Sequence, residues 1–440
     1  MTERTTWWRL GPAIVVVAIV VAGFAIAFRA SLGAVVDLLG GSTIVDMIVR
    51  APPWERLALP AAGGLAAGLV VMMLARRQGG AGVGYVMEAI VLGRVRIPLV
   101  RSLLQFLASW LAIAGGNSIG REGPLIQAGA AAGEAARKGF RLDDNSARLV
   151  LAAGVAAGFA SAYNAPIAAA LFVVEIVTGV LVLDTAVPVL IASVLATVVT
   201  RIVIGGATLY TVPQLVPHPL ELIAFAGLAL VCAPLGVGFL RVLALADRGW
   251  RRLPMPWRTF AGGLACGAIL CAIPEVAGNG LEPLSDLLNT RVALAGVVLL
   301  LVAKVAATSA SVGSGNPGGV FTPTLLLGGC AGTLYALGLH AAFGDAIASP
   351  AAYTLVGLAC AMAATTHAPM TAAILACELS GNYTLVLPLL LACALSAALA
   401  RRLYIDSVYT AELTRRGLRW RLTLDGRRVI ENQQAVVDVV

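Results

Sequence analysis

Long apolar runs separated by short polar segments dominate the pattern along this chain. An α-helix that crosses a bilayer needs about 20 mostly apolar residues. Charge-free runs close to that length occur at 11–28, 57–75, 222–240 and 379–400, and longer runs that can hold more than one helix each occur at 305–344 and 346–377. The pattern predicts an all-α protein that crosses a membrane many times.

Composition supports the same class of protein. Hydrophobic residues make up 59% of the 440 residues and charged residues 12%, whereas a soluble domain is about 25% charged. The mean hydropathy is +0.90. Since Arg29 and further apolar runs follow residues 11–28, and no obvious cleavage site does, we interpret this run as a retained span and not as a signal peptide.

The net charge of +8 could suggest a nucleic-acid partner, but the arginines are not spread over a surface. They cluster where apolar runs end, at 136–148, at 247–258 and from 401 onward. Such clusters are typical of cytoplasmic loops. With Arg4 and Arg9 ahead of the first span, both termini are predicted to be cytoplasmic. The protein is expected in the inner membrane of a bacterium, and no nucleic-acid partner is expected.

The cysteines and histidines do not suggest a metal centre. All seven cysteines lie in apolar segments without CxxC spacing, and the three histidines are scattered. We therefore expect the cysteines to be small packing residues, and we expect no metal and no cofactor.

The chain contains an internal repeat. Residues 152–176 align without gaps to 355–379, and residues 120–133 align to 319–332. Chance similarity between Ala- and Gly-rich helices is the alternative, but the two blocks keep the same order at nearly equal spacing. The repeat predicts two related halves.

Helix-breaking signals occur at matched places in the two blocks. "NAP" (164–166) corresponds to "HAP" (367–369), and "GREGP" (120–124) corresponds to "GVFTP" (319–323). Pro and Gly before an apolar run indicate a helix that begins inside the membrane. Transporters built from repeats bind their substrate where the halves meet, with the N-termini of broken helices directed at the anion.

Glu122 is the candidate functional residue in "GREGP". A helix predicted to start at Pro124 would present free N–H groups and a partial positive charge, which attract an anion without a fixed cation. The Glu122 carboxylate could occupy such an anion position, and protonation would release it. One acid could thus act as gate and proton carrier. The alternative, that Arg121 and Glu122 only pair across a loop, stays open at this point.

With these motifs, the chain resembles the CLC family of chloride channels and chloride/proton antiporters from about residue 10 to about residue 415. The motifs are "GREGP" (120–124), "NAPIAAALFVVE" (164–175), "GNPGGVFTP" (315–323), "APMTAAILACELSGNYTLVLP" (368–388) and "SVYTAEL" (407–413). The resemblance implies a CLC-type fold with two inverted-topology repeats of tilted and broken helices. It also implies a homodimer in membrane lipid, with an anion pathway in each subunit.

The resemblance also assigns roles to residues. Glu122 is the expected external gating glutamate. Backbone amides around Val320 and Phe321 are expected to hold the central anion, and the Tyr409 hydroxyl to lie on its inner side. The other expected anion-binding positions are Gly80, Ala81, Gly82, Arg121 and Gly123. Bound chloride would be the transported ligand, and no enzymatic activity is expected.

Two departures from the family pattern bear on function. The usual Gly-Ser-Gly-Ile-Pro motif reads "GAGVG" at 80–84, so that Ala81 replaces a serine hydroxyl and Gly84 replaces proline, which leaves the physiological anion open. Ile176 stands where proton-coupled members carry a second glutamate. A channel-like or weakly coupled pathway is therefore favoured over a coupled chloride/proton antiporter. The neighbouring Glu175 matches Glu378 in the repeat, which predicts a packing role.

We divide the chain into a cytoplasmic N-terminus (1–10), a first membrane repeat (11–205), a second membrane repeat (206–414) and a cytoplasmic tail (415–440). The tail resembles the lead-in to a CBS domain pair, and whether the protein is a short form or its chain is truncated at this point stays open.

A glycine loop at 79–90 lacks the preceding strand of a dinucleotide site. Ser314 with His340 or His367 would suit an intramembrane hydrolase, which is a remote alternative.

Overall fold

The structure is a computed structural model of the chain. It describes residues 3–75, 82–92, 96–180, 182–206, 208, 210, 221–289, 292–344, 347–415, 418–423 and 426–430.

The first half of the chain is helical over the residues described. Its α-helices are α1 (Glu3–Leu38), α2 (Ile44–Arg50), α3 (Pro53–Ala75), α4 (Val83–Leu92), α5 (Leu99–Ala114), α6 (Glu122–Gly139), α7 (Asp144–Tyr163), α8 (Pro166–Phe172) and α9 (Leu183–Ile204). A π-helix, Val173–Thr178, continues α8.

The second half has the same character and ends in a small hairpin. Its α-helices are α10 (Glu221–Trp250), α11 (Trp257–Ala272), α12 (Leu281–Asn289), α13 (Leu294–Gly313), α14 (Phe321–Phe343), α15 (Pro350–Thr366), α16 (Pro369–Ser380), α17 (Val386–Leu403) and α18 (Thr410–Arg415). A 3-10 turn, Pro274–Val276, precedes α12. Strands β1 (Arg419–Thr423) and β2 (Gly426–Ile430) pair antiparallel in the predicted tail.

The prediction of a polytopic helical membrane protein is confirmed. Within the described part of the chain, 8 helices are long and apolar enough to cross a membrane. The expected span at 379–400 is wrong at its start, because α16 ends at Ser380 and α17 begins only at Val386. Gly381, with φ of 68°, ends α16 in a left-handed conformation that favours glycine.

The breaks predicted at "NAP" and "HAP" have the same backbone geometry in both halves. Asn164 ends α7 with φ of 59°, and His367 ends α15 with φ of 60°. Two residues later, Pro166 and Pro369 begin α8 and α16. Since non-glycine residues rarely adopt positive φ, this shared geometry is strong support for the two related halves.

Paired glycines bring the central helices of each half close together. A Cβ on Gly129 of α6 would lie 2.0 Å from the carbonyl oxygen of Gly154 in α7, and a Cβ on Gly328 of α14 would lie 2.2 Å from that of Gly357 in α15. Small residues at helix contacts allow such close backbone approach inside membranes. This packing fixes the starts of α6 and α14, where the predicted site lies.

Each half also contributes an acidic side chain to the start of a helix in the other half. Glu175, in the π-helix after α8, accepts hydrogen bonds from the backbone N–H groups of Met370 (3.0 Å) and Thr371 (2.6 Å) at the start of α16. Glu378, in α16, accepts from the N–H groups of Ile167 and Ala168 at the start of α8. Each acid caps the broken helix of the other half, so the predicted packing role of this pair is confirmed.

The predicted packing role of the cysteines also agrees with their positions. Six of the seven are buried, and Cys271 is partly exposed.

Candidate functional site

The starts of α6 and α14 are held side by side. Gly120 and Gly319, just before these helices, exchange backbone hydrogen bonds of 2.7 and 2.8 Å. The expected start of α6 at Pro124 is wrong by two residues, because the helix begins at Glu122. Proline fits inside a first helical turn, since the N–H it lacks has no partner within the helix there.

The Glu122 carboxylate lies on the start of α14, and it is 1% exposed. Its Oε1 accepts a hydrogen bond of 2.9 Å from the Phe321 N–H. Its Oε2 lies 3.2 Å from the Thr322 hydroxyl and 3.3 Å from the Tyr163 hydroxyl. We call these three donors, from Phe321, Thr322 and Tyr163, the carboxylate seat. The position is one that an anion could take, because backbone N–H groups and the helix dipole favour negative charge there.

Glycine makes room for the seated carboxylate. A Cβ on Gly319 would lie 1.8 Å from Oε1 of Glu122, and a Cβ on Gly120 would lie 2.2 Å from Oε2. These distances are too short for any side chain. The glycines at matched positions of the repeat thus permit one half to insert an acid into the helix start of the other.

Two residues of the seat were not predicted from the sequence. The hydroxyls of Tyr163 and Thr322 are 2.7 Å apart, so one of their two protons can join them while the other is donated to the carboxylate. Tyr163 directly precedes the break at Asn164, and Thr322 lies within "GVFTP". Their place beside matched breaks was the available signal.

A cavity of about 580 Å³ reaches Glu122. Four of the predicted site residues, Gly82, Gly123, Val320 and Tyr409, line it together with Glu122. The Tyr409 ring packs edge-on against Phe172, and its buried hydroxyl has no hydrogen-bond partner among the described residues. An unsatisfied buried hydroxyl in a cavity is suited to a bound anion or water.

The remaining predicted anion-binding positions are Gly80, Ala81 and Arg121. Gly80 and Ala81 lie outside the described residues. Arg121 is partly buried, and its Nε has no hydrogen-bond partner in the described part of the chain. No ion pair joins Arg121 to Glu122 there, so the geometry does not support the loop-pair alternative.

Ile176 is buried beside Glu175 in the π-helix. Its side chain is 1% exposed and carries no group that can bind a proton. The neighbouring acid, Glu175, is directed to the start of α16. The described geometry therefore does not supply a proton-binding group at position 176.

Two cations, the partly buried Arg29 and the buried Lys304, were also missed by the sequence reasoning. Arg29 of α1 donates to the carbonyl oxygens of Ser161 and Ala162 at the end of α7, and Lys304 of α13 donates to those of Val276 and Gly278. Cations near the negative end of a helix dipole, or on backbone carbonyls, are stabilised in apolar surroundings. A lone charge inside an apolar run gave the only signal for each.

Among the residues described, the serine of the hydrolase alternative has no catalytic partner. Ser314 donates a hydrogen bond of 2.8 Å to the Ser311 carbonyl and accepts one of 3.3 Å from Asn316. Over the residues described, neither histidine contacts it, and His340 instead lies 3.1 Å from the Ala348 carbonyl. A nucleophile needs a base within hydrogen-bond reach, so the geometry does not favour hydrolysis.

Broken helices that meet head to head around a buried, cavity-lining acid define an anion-transport protein of the membrane. Residues 63–401 match the Voltage gated chloride channel family. A ClcB-like protein of Ralstonia nicotianae is 38% identical over 89% of this chain and 93% of its own. The voltage-gated ClC-type chloride channel ClcB of Escherichia coli is 36% identical over 83% of this chain and 89% of its own.

A solved structure has the same fold. A slow cyanobacterial Cl−/H+ antiporter superimposes with a TM-score of 0.83 at 24% identity, over 93% of this chain and 98% of its own. The chain belongs to the CLC family of chloride channels and transporters. It is an integral membrane protein of a family that moves anions, and members of this family are not enzymes.

Proposed function

We propose that this protein conducts chloride or another small inorganic anion through one Glu122-gated pathway in each subunit, with channel-like or weakly proton-coupled transport. One observation carries the proposal. The Glu122 carboxylate accepts the Phe321 N–H, and Glu122 lines a cavity together with Tyr409, whose hydroxyl has no hydrogen-bond partner among the described residues.

The gate follows from competition for the same donors. While Glu122 is ionised, its carboxylate holds the Phe321 N–H at the start of α14 and excludes an anion from it. Protonation removes the charge and weakens these hydrogen bonds, because bonds to charged acceptors are about twice as strong as neutral ones. The side chain then leaves the seat, and an anion takes its place.

Weak coupling rests on Ile176. A proton that reaches Glu122 from the far side of the membrane needs a carrier, and isoleucine at this position supplies none. The antiporter with the same fold shares only 24% of its residues with this chain, and therefore supports the fold and not the coupling.

The test is anion flux from liposomes that contain the purified protein, with a pH electrode in the bath. Chloride, bromide, nitrate and fluoride are compared. We expect chloride efflux well above that of empty liposomes and little proton movement against a chloride gradient. Proton uptake in a fixed ratio to chloride would instead show a coupled antiporter, and flux no greater than in empty liposomes would refute anion transport.

Glu122→Gln tests the gate in the same assay. We expect faster flux that no longer changes between pH 4 and pH 8, since the amide carries no charge and cannot titrate. Glu55→Gln, an equal charge change at the start of α3, is the control and should behave as the parent protein does. A Glu122→Gln protein that keeps the parental pH dependence would exclude Glu122 as the gate.

The assembly and orientation belong to the same proposal. We propose a homodimer in the bacterial inner membrane with both termini in the cytoplasm, on the basis of the family resemblance and of the arginine-rich segments near 247–258 and after 401. Subunit counting in vesicles tests the dimer. Protease accessibility of a C-terminal tag in right-side-out vesicles tests the orientation, and cleavage there would refute it.

A further inference from the structure

A second acid, Glu412, lines the cavity that reaches Glu122. Tyr409 and Glu412 lie one helical turn apart in and just before α18, and both face the cavity. Ser407 holds the start of this helix, because its hydroxyl accepts the Thr410 N–H and its carbonyl accepts the Ala411 N–H. Leu413, the next residue, is fully buried and anchors α18.

The Glu412 carboxylate lies beside the start of α4. A Cβ on Gly82 or on Gly84, the residues on either side of Val83, would lie 3.1 Å from Oε2 of Glu412. Gly84 stands where the family pattern has proline, and its lack of a side chain leaves space for this carboxylate. Like Glu122, Glu412 has its carboxylate beside the start of a helix that lines the cavity.

An independent observation makes this end of the cavity suitable for an anion. The Tyr409 side chain is 8% exposed, and its hydroxyl has no hydrogen-bond partner over the described residues. This donor and the start of α4 line the same space. A halide that passes between them comes close to the Glu412 carboxylate, which is of like charge.

We propose that Glu412 is a second competing carboxylate, which occupies the start of α4 and lowers halide occupancy at the Tyr409 end of the cavity. The proposal rests on anion transport as the function. It assigns to Glu412 a role in anion affinity and rate that is separate from the Glu122 gate.

Glu412→Gln tests this role, because it removes the charge and keeps the size of the side chain. We expect chloride affinity, measured by titration calorimetry in detergent, and initial chloride efflux from liposomes both to rise about five-fold, the factor for a unit charge about 4 Å from the ion in water.

Asp247→Asn is the matched control. Asp247 lines the same cavity on α10 and pairs with Arg251 at 2.9 Å, and we expect a change of about two-fold or less from an equal loss of charge. Equal effects of the two variants would mean that only the net charge of the cavity matters, and would overturn the local role.

The remaining outcomes separate the two proposals. If the parent protein transports chloride and a folded Glu412→Gln variant has the same chloride affinity and efflux rate, the inference about Glu412 is overturned and anion transport still stands. Thermal unfolding shows whether the variant is folded. Absence of flux in the parent protein and in every variant overturns anion transport, and the inference with it.

Discussion

Tyr163 offers a sharp test of the carboxylate seat, because a single hydroxyl can be removed without disturbing the packing of its ring. The ring contacts Phe159 and Phe321, with centroids 4.9 and 5.3 Å away. Tyr163→Phe keeps these contacts and removes one of the two hydroxyls within hydrogen-bond distance of Oε2 of Glu122.

The expected size of the effect follows from the geometry. A hydrogen bond to a charged group contributes about 1.5–3 kcal/mol, and the distance of 3.3 Å from the Tyr163 hydroxyl to Oε2 places this bond at the lower end. A loss of about 1.4 kcal/mol changes an equilibrium ten-fold. The ratio of released to seated Glu122 should therefore rise about ten-fold.

The assay is the initial rate of chloride efflux at pH 7, in a double-mutant cycle with Glu122→Gln. Tyr163→Phe alone should raise the rate by up to about ten-fold, and in the Glu122→Gln background by less than about two-fold, because no carboxylate remains to be held. Tyr353→Phe is the control, since its buried hydroxyl has no hydrogen-bond partner among the described residues. Equal effects of Tyr163→Phe in both backgrounds would refute the seat.

Two further predictions concern packing. Gly129→Ala should lower the free energy of unfolding by about 1–3 kcal/mol, because the new Cβ meets the Gly154 carbonyl oxygen. Gly238→Ala is the control, since its new Cβ has nothing within 4 Å. Thermal unfolding in detergent compares the two variants, and equal stabilities would contradict the close approach. Glu175→Gln should cost about 1–3 kcal/mol through weaker capping of α16, read as a lower unfolding midpoint at neutral pH; an unchanged midpoint would show that the cap contributes little.

Local chemistry made much of the fold predictable. "NAP" and "HAP" each combine a residue that ends a helix with a proline that begins the next, and both breaks lie where the sequence placed them. The break between α16 and α17 was missed because residues 381–385 contain no charge to interrupt the apolar run. The hairpin at 419–430 was missed because the tail was read only by family resemblance.

The site was less predictable than the helices, because its contacts join residues far apart in the chain. Glu122 was identified by its motif, but its bond to Phe321 spans 199 residues and depends on how the halves meet. Tyr163 carried no signal beyond its place beside a break. Glu412 lies in a polar segment, where an acidic residue is common. Only the structure shows that it lies beside the start of α4.

The exchanged caps have a consequence for biosynthesis. The start of α8 is bonded by Glu378, which the ribosome adds 210 residues after Ala168. Until then the N–H groups of Ile167 and Ala168 lack the carboxylate that bonds them in the finished protein. The first half is thus an unfinished intermediate that matures only when the second half inserts beside it. Two halves encoded as separate chains should therefore fold together when they are co-expressed, and neither half should accumulate when it is expressed alone.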